Sequence, residues 1–157
     1  MFAALVVSNR MATIEILPGI GLSNIQFGLR KNELITYLGE PDKSFKTDSG
    51  CERLQYNELM IEVSIEPENE NKFGWVEVYN PDFTFYGEKL IGKSKEIVIS
   101  KVTEFLNEEP NIDDYGSFES YDFENNWVEL QFSFNKLNCI NIGVFISESD
   151  ELLWPNN

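Results

Sequence analysis

Apolar and polar residues alternate along most of this chain, and helical spacing replaces the alternation at two places. Over residues 30–38 the apolar positions Leu34, Ile35 and Leu38 fall on one helical face. Gly39 can take the left-handed position after the last turn, and Pro41 prevents continuation. Residues 59–66 then read apolar at odd positions and mostly polar at even ones. A turn is expected at 68–71, and residues 75–79 alternate again. The second helix is expected to open at Gly92-Lys93-Ser94-Lys95-Glu96. Its buried stripe would be Ile97, Val98, Val102, Phe105 and Leu106, and it should stop before Pro110. Three β runs follow at 115–123, 127–134 and 139–146, with a hairpin loop at 135–138. Residues 14–17 make a short strand ended by Pro18 and Gly19.

The order of helix and then antiparallel strands therefore occurs twice. Residues 27–35 and 91–98 both run apolar-Gly, a basic polar stretch, Glu, then apolar residues, and "LGEP" at 38–41 is answered by "NEEP" at 107–110. The expected class is α+β. Two tandem helix-plus-antiparallel-hairpin half-domains, about 14–80 and 85–146, would form one sheet with helices on one face, within a single domain of residues 1–157. The apolar run at 2–7 is too short for a signal segment and has its basic residue, Arg10, on the wrong side. It reads as a weak strand or a ragged extension. The tail at 151–157 is expected to pack loosely. A cytoplasmic location with no membrane segment is the resulting expectation.

Period two also sorts the side chains of the sheet. The alternating apolar residues, through Phe134 and Ile146, are expected inside. The opposite face would receive Glu62, Ser64 and Glu66, then Trp75, Glu77 and Tyr79, then Glu129, Gln131 and Ser133, and finally Asn141, Gly143 and Phe145. The 115–123 run carries aromatics in both phases, and Glu119, Tyr121 and Phe123 are placed outward with them. A solvated acidic face can tolerate a few aromatics of high strand propensity. An interaction face uses the same residues differently, as aromatic anchors in an acidic surround that orients a basic partner.

The charge distribution favours the second reading. The 157 residues include 12 Lys+Arg, 27 Asp+Glu and no His, a formal charge of −15. From residue 102 to 135 there are nine acids and no base, and Asp113 and Asp114 lie in that run. The expected partner-binding residues are Glu62, Trp75, Glu77, Tyr79, Asp113, Asp114, Glu119, Tyr121, Glu129 and Phe145. An aromatic face of this kind could equally pair with its own copy as a homodimer. So acidic a chain is unsuited to nucleic acid, because it has little positive charge to set against phosphates.

Catalytic chemistry finds little here. Without histidine there is no Ser-His-Asp or Cys-His arrangement and no His-ligated zinc. Cys51 and Cys139 are expected as free buried thiols rather than a disulfide. Acid pairs such as Asp113-Asp114 are inevitable among 27 acids, and no calcium-loop pattern occurs. Residues 87–94 fit the phosphate-loop pattern G-x-x-x-x-G-K-[ST], with Lys93 and Ser94 in the functional positions. The loop lacks an interior glycine and sits among antiparallel hairpins, so it reads as a strand-to-helix turn. The expectation is a non-enzymatic protein without cofactor or metal.

The opening "GIGLSNIQFGLRKNELITYLGEPD" at 19–42 resembles that of small acidic immunity proteins of bacterial polymorphic and contact-dependent toxin systems. The likeness falls on Ile20, Gly21, Ile25, Phe27, Gly28, Glu33, Leu38, Gly39, Glu40, Pro41 and Asp42. The helix-then-hairpin order is similar to beta-lactamase inhibitory protein and to SmpA-type assembly lipoproteins. The resemblance implies an inhibitor that blocks a cognate toxin, such as a basic nuclease, by protein–protein contact. The matched residues fix turn and helix and do not name the toxin.

Overall fold

The computed structural model describes residues 13–155, so the expectation for residues 1–10 lies outside the described part. In chain order come β1 (Glu15–Leu17), β2 (Gly21–Leu22), β3 (Ile25–Gln26) and α1 (Lys31–Leu38). There follow β4 (Lys43–Lys46), β5 (Glu52–Tyr56), β6 (Ile61–Glu66), β7 (Lys72–Val78) and β8 (Thr84–Phe85). After α2 (Lys95–Leu106) come β9 (Asn111–Asp114), β10 (Glu119–Phe123), β11 (Val128–Ser133) and β12 (Lys136–Gly143), and last β13 (Phe145–Ile146) and β14 (Leu152–Leu153).

The class is α+β with mostly antiparallel sheets. The main sheet has eight strands in the order β4-β5-β6-β7-β12-β11-β10-β9, and all its pairings are antiparallel. The expectation of a single sheet needs correction. Residues 15–26 and 84–85 make a separate four-stranded sheet, β3-β2-β1-β8, in which β1 and β8 run parallel. These strands are two or three residues long, too short for period two to register. β13 and β14 form a further ribbon.

Helix α1 starts where the Arg30 amide donates to Glu33 Oε1 at 2.9 Å, and it ends with the Gly39 amide on Ile35 O at 2.7 Å. Its Leu34 is buried. In α2, Val98, Val102 and Leu106 are buried, whereas Ile97, expected in the stripe, is exposed. Both helices and the small sheet share one core with Leu54, Val63, Val76, Leu130, Ile140 and Ile142 of the main sheet. Each helix also ties its first residue to a strand, Lys31 to Glu52 and Lys95 to Glu119.

Other expectations fail for local reasons. The second hairpin turns at Phe134 and Asn135, both with positive φ, and β12 already begins at Lys136; the expected loop at 135–138 is two residues long. Phe134 is consequently 99% exposed, not part of the core. Within the described part of the tail, Trp154 is held more firmly than expected. Trp154 Nε1 donates to Glu70 at 3.1 Å, and Lys72 lies over its ring. The two cysteines are free, as expected, but only Cys139 is buried; Cys51 is half-buried.

Candidate functional site

The outer face of the main sheet, opposite the helices, collects side chains from six central strands. Register sets the row. Gln55 stands opposite Glu62, Glu62 opposite Glu77, Glu77 opposite Asn141, Asn141 opposite Glu129, and Glu129 opposite Asp122. Arg53, one position along from Gln55 on the same face, lies opposite Ser64. It donates to Glu62 through Nε (2.8 Å) and to Glu77 through Nη2 (2.6 Å). Gln55 adds a bond to Glu62 at 2.6 Å. The indole of Trp75 (3.3 Å) and the phenol of Tyr79 (2.9 Å) both donate to Glu77. Burial, reinforced by Glu77, pushes the Tyr79 phenol upward, so this donor stays protonated.

The other side of the row has acceptors without a cation among the described residues. Glu129 accepts from Ser120 Oγ (2.6 Å), Asn141 Nδ2 (2.7 Å) and Gln131 Nε2 (3.3 Å). Asn141, expected with Ser64 on the outer face, is buried within this network; Ser64 is buried too, but donates to Glu66. Among the described residues no Lys or Arg forms a salt bridge with Asp122, Glu124 or Glu129. Burial, with repulsion from Glu129, Asp113 and Glu124, pushes the Asp122 carboxyl up to about 6; the hydroxyl of Ser120 pulls weakly the other way.

Next to that cationless end is a cleft of about 440 Å³. Its walls are Trp75, Trp127, Phe123 and Val128, with Asp122, Glu124 and Glu129 along them. Gly143 makes room for one wall: a Cβ there would stand 2.9 Å from Trp75 Cε3. Trp127 follows the short 3-10 turn Glu124–Asn126 and takes a left-handed conformation, φ 52°, with 37% of its surface exposed.

Of the expected binding residues, Glu62, Trp75, Glu77 and Glu129 do meet on this face, and Tyr79 joins them through Glu77. Asp113, opposite Ser120, extends the face to the β9 edge. The rest are elsewhere. Tyr121 and Phe123 pair with Leu130 and Val128 and are buried, so their phase points to the core, and Glu119 turns the same way to meet Lys95. Asp114 stands opposite Glu119 and shares its side. Phe145 lies beyond the end of β12, in the ribbon, where it packs on Gly19. The physical reason is that β9 and β10 separate at residues 115–118. Within the expected 115–123 run only Glu119–Phe123 is strand, β9 (Asn111–Asp114) precedes the run, and the core selects the Tyr121/Phe123 phase.

Sequence reasoning did not single out Arg53, Asp122, Glu124 or Trp127. The acid-only run contained Asp122 and Glu124, but nothing in it separated them from seven other acids. The phosphate-loop match is a turn whose amides are already used: Gly87 donates to Glu15, Glu88 to Phe85, Gly92 to Leu137 and Lys93 to Leu90. Glu15 would also repel a phosphate there. Among the described residues, one group could present metal ligands: the Cys51 thiol and the Glu66 and Glu68 carboxylates lie within 4.8 Å of one another. No described helix is long and apolar enough to cross a membrane.

With this geometry in view, comparison with known proteins gives similarity in structure alone. No family model matches the chain, and no curated protein does. A DUF4309 family protein, YjgB, from Bacillus subtilis subsp. subtilis str. 168 matches at a TM-score of 0.50 and 13% identity, over 80% of this chain and 87% of that one. An extracellular protein containing a SCP domain, from Bacillus anthracis str. Ames, matches at a TM-score of 0.48 and 14% identity, over 80% of this chain. This chain spans 43% of that protein's length. At such identities the likeness to the first is one of fold.

Proposed function

We propose that this chain is a cytoplasmic, non-enzymatic immunity-type protein that neutralises a basic toxin domain by covering it with the outer sheet face. One observation carries the reading: among the described residues no cation pairs with the acids at the β10–β11 end of that face, while the acids at the β6–β7 end share Arg53. A charge left uncompensated inside the monomer suits compensation by a partner, and it would steer a cationic surface toward that end.

The resemblance to tandem-repeat inhibitors is supported by paired features of the two halves, which we take as a duplication. Gly28 and Leu29 exchange backbone hydrogen bonds with Phe73, as Gly92 and Lys93 do with Leu137. Lys31 meets Glu52 as Lys95 meets Glu119. A register shift follows Ser64 in one half and Gln131 in the other. The strand order on either side of the β7–β12 seam supports the same reading.

The test is affinity capture with the intact protein, washed at about 0.05 M and about 0.5 M salt to bracket the screening range. One basic polypeptide held in near-stoichiometric amount at low salt, and whose toxicity is lost on binding, is the expected result. A protein that binds nothing at either salt and runs as a homodimer overturns the reading.

A further inference from the structure

The two halves treat equivalent positions differently. Gln55 faces Glu62 across β5 and β6, whereas the corresponding place across β10 and β11 sets Asp122 against Glu129. Arg53 is opposite Ser64, whereas Ser120 is opposite Gln131. The second half thus has an acid where the first has an amide, and a hydroxyl where the first has a guanidinium. Like charges directly opposite on adjacent strands are destabilising. The cleft opens at this place, and two indoles line it.

We propose that the cleft between Trp75 and Trp127 seats one arginine side chain of the partner, its guanidinium lying against the indoles and pairing with the carboxylates of Asp122, Glu124 and Glu129. The inference rests on the partner-binding reading above and names the group that the site takes. Arginine suits the walls better than lysine. Its planar guanidinium stacks on aromatic faces and forks onto carboxylates, and it is less strongly hydrated than an ammonium. Trp75 is already held in place through its Nε1 bond to Glu77 at 3.3 Å, which leaves its ring surface as the contact. Arg53 cannot fill the seat, because it is engaged by Glu62 and Glu77. Such an incoming side chain would complete, from outside, what Arg53 does within the first half.

The test uses N-acetyl-L-arginine amide as probe, with N-acetyl-L-norleucine amide as the uncharged control, titrated into the full chain at low salt. The indole N–H signals of Trp75 and Trp127 report the cleft, and Trp154, on Glu70 and Lys72, is the internal reference. The expected result is saturable shifts of the two cleft indoles in the millimolar range, as befits one side chain in one seat. Glu124→Gln, at an exposed position that the fold tolerates, and Trp127→Leu are each expected to weaken the probe by about tenfold or more. Shifts equal for the norleucine amide, no saturation, or unchanged binding by both variants overturn the proposal. The same variants separate it from its premise. A captured basic partner that binds Glu124→Gln and Trp127→Leu as tightly as the parent protein removes the arginine seat and leaves the partner reading standing. Saturation by the arginine amide with no protein partner captured does the reverse.

Discussion

Asp122 and Glu129 stand directly opposite each other on β10 and β11, two carboxylates on one face with no cation paired to either among the described residues. Glu129 is relieved by three donors, from Ser120, Gln131 and Asn141. Asp122 therefore carries the strain of the pair, and its carboxyl is the one that burial and the neighbouring acids raise.

That asymmetry predicts a pH dependence with a definite sign. The Asp122 carboxyl titrates at about 6 when folded and at 3.8 as a free side chain, so between those values the folded chain keeps a proton that the unfolded chain has released. The stability this group contributes is fully present below pH 3.8 and is lost as pH rises through about 6. Asp122→Asn should be neutral near pH 4 and stabilising at pH 7.5, by about 1 kcal/mol once solvent screening is allowed for. Urea denaturation of the two proteins at both pH values measures it; a variant less stable at pH 7.5 contradicts the picture.

A cation in the cleft favours the ionised form of Asp122, so binding and proton release are linked. The groups that bear on Asp122 are Glu129 on β11, Asp113 on β9, Glu124 in the following turn and the Ser120 hydroxyl on its own strand. Affinity for the arginine amide is expected to rise severalfold from pH 5 to pH 7.5 in the parent chain and to stay flat in Asp122→Asn. Titration at the two pH values checks it.

At the other end of the row, Arg53 binds two partly buried carboxylates. Arg53→Met leaves Glu62 and Glu77 facing each other without their cation, and a loss of about 3 kcal/mol is expected, as for breaking a buried pair. The triple variant with Glu62→Gln and Glu77→Gln should recover most of it. Consequently, charge reversal at Glu62, Glu77 or Glu129 disturbs the fold before it reports on a partner, whereas Asp113 and Glu124 are exposed and report cleanly.

Gly143→Ala isolates the geometry of the cleft. Gly143 does not lie in the left-handed region, so the effect of an added methyl comes through contact with Trp75, 2.9 Å away at Cε3. Displacement of the indole should cost about 1–3 kcal/mol of stability. It should also shift the Trp75 indole signal while leaving Trp154 in place, which an indole N–H spectrum records.

The thiols should differ sharply. Burial, with Glu77 and Glu129 nearby, pushes Cys139 up to about 12, and its side chain is enclosed; Cys51 is half-buried in a turn. A thiol reagent at pH 8 is expected to modify Cys51 promptly and Cys139 only on unfolding, as mass spectrometry of the labelled chain would show.

Much of this architecture follows from the order of residues alone. Helical spacing located α1 to within a residue and α2 to within about three, and period two assigned the core of β6, β7, β11 and β12, because one face of each strand must bury apolar side chains. The excess of acid, and its separation from base between residues 102 and 135, is likewise a property of the sequence. Tertiary structure decided which acids matter. Arg53 and Glu77 are 24 positions apart and meet only because β6 lies between their strands, and Trp75 and Asp122 share a cleft only because β7 and β12 form the central seam. Period two gives a side chain its face but not its neighbour across strands, which register, bulges and strand order determine. For Tyr121 and Phe123, aromatic in the same phase as Glu119, even the face was settled by which side had a core left to fill.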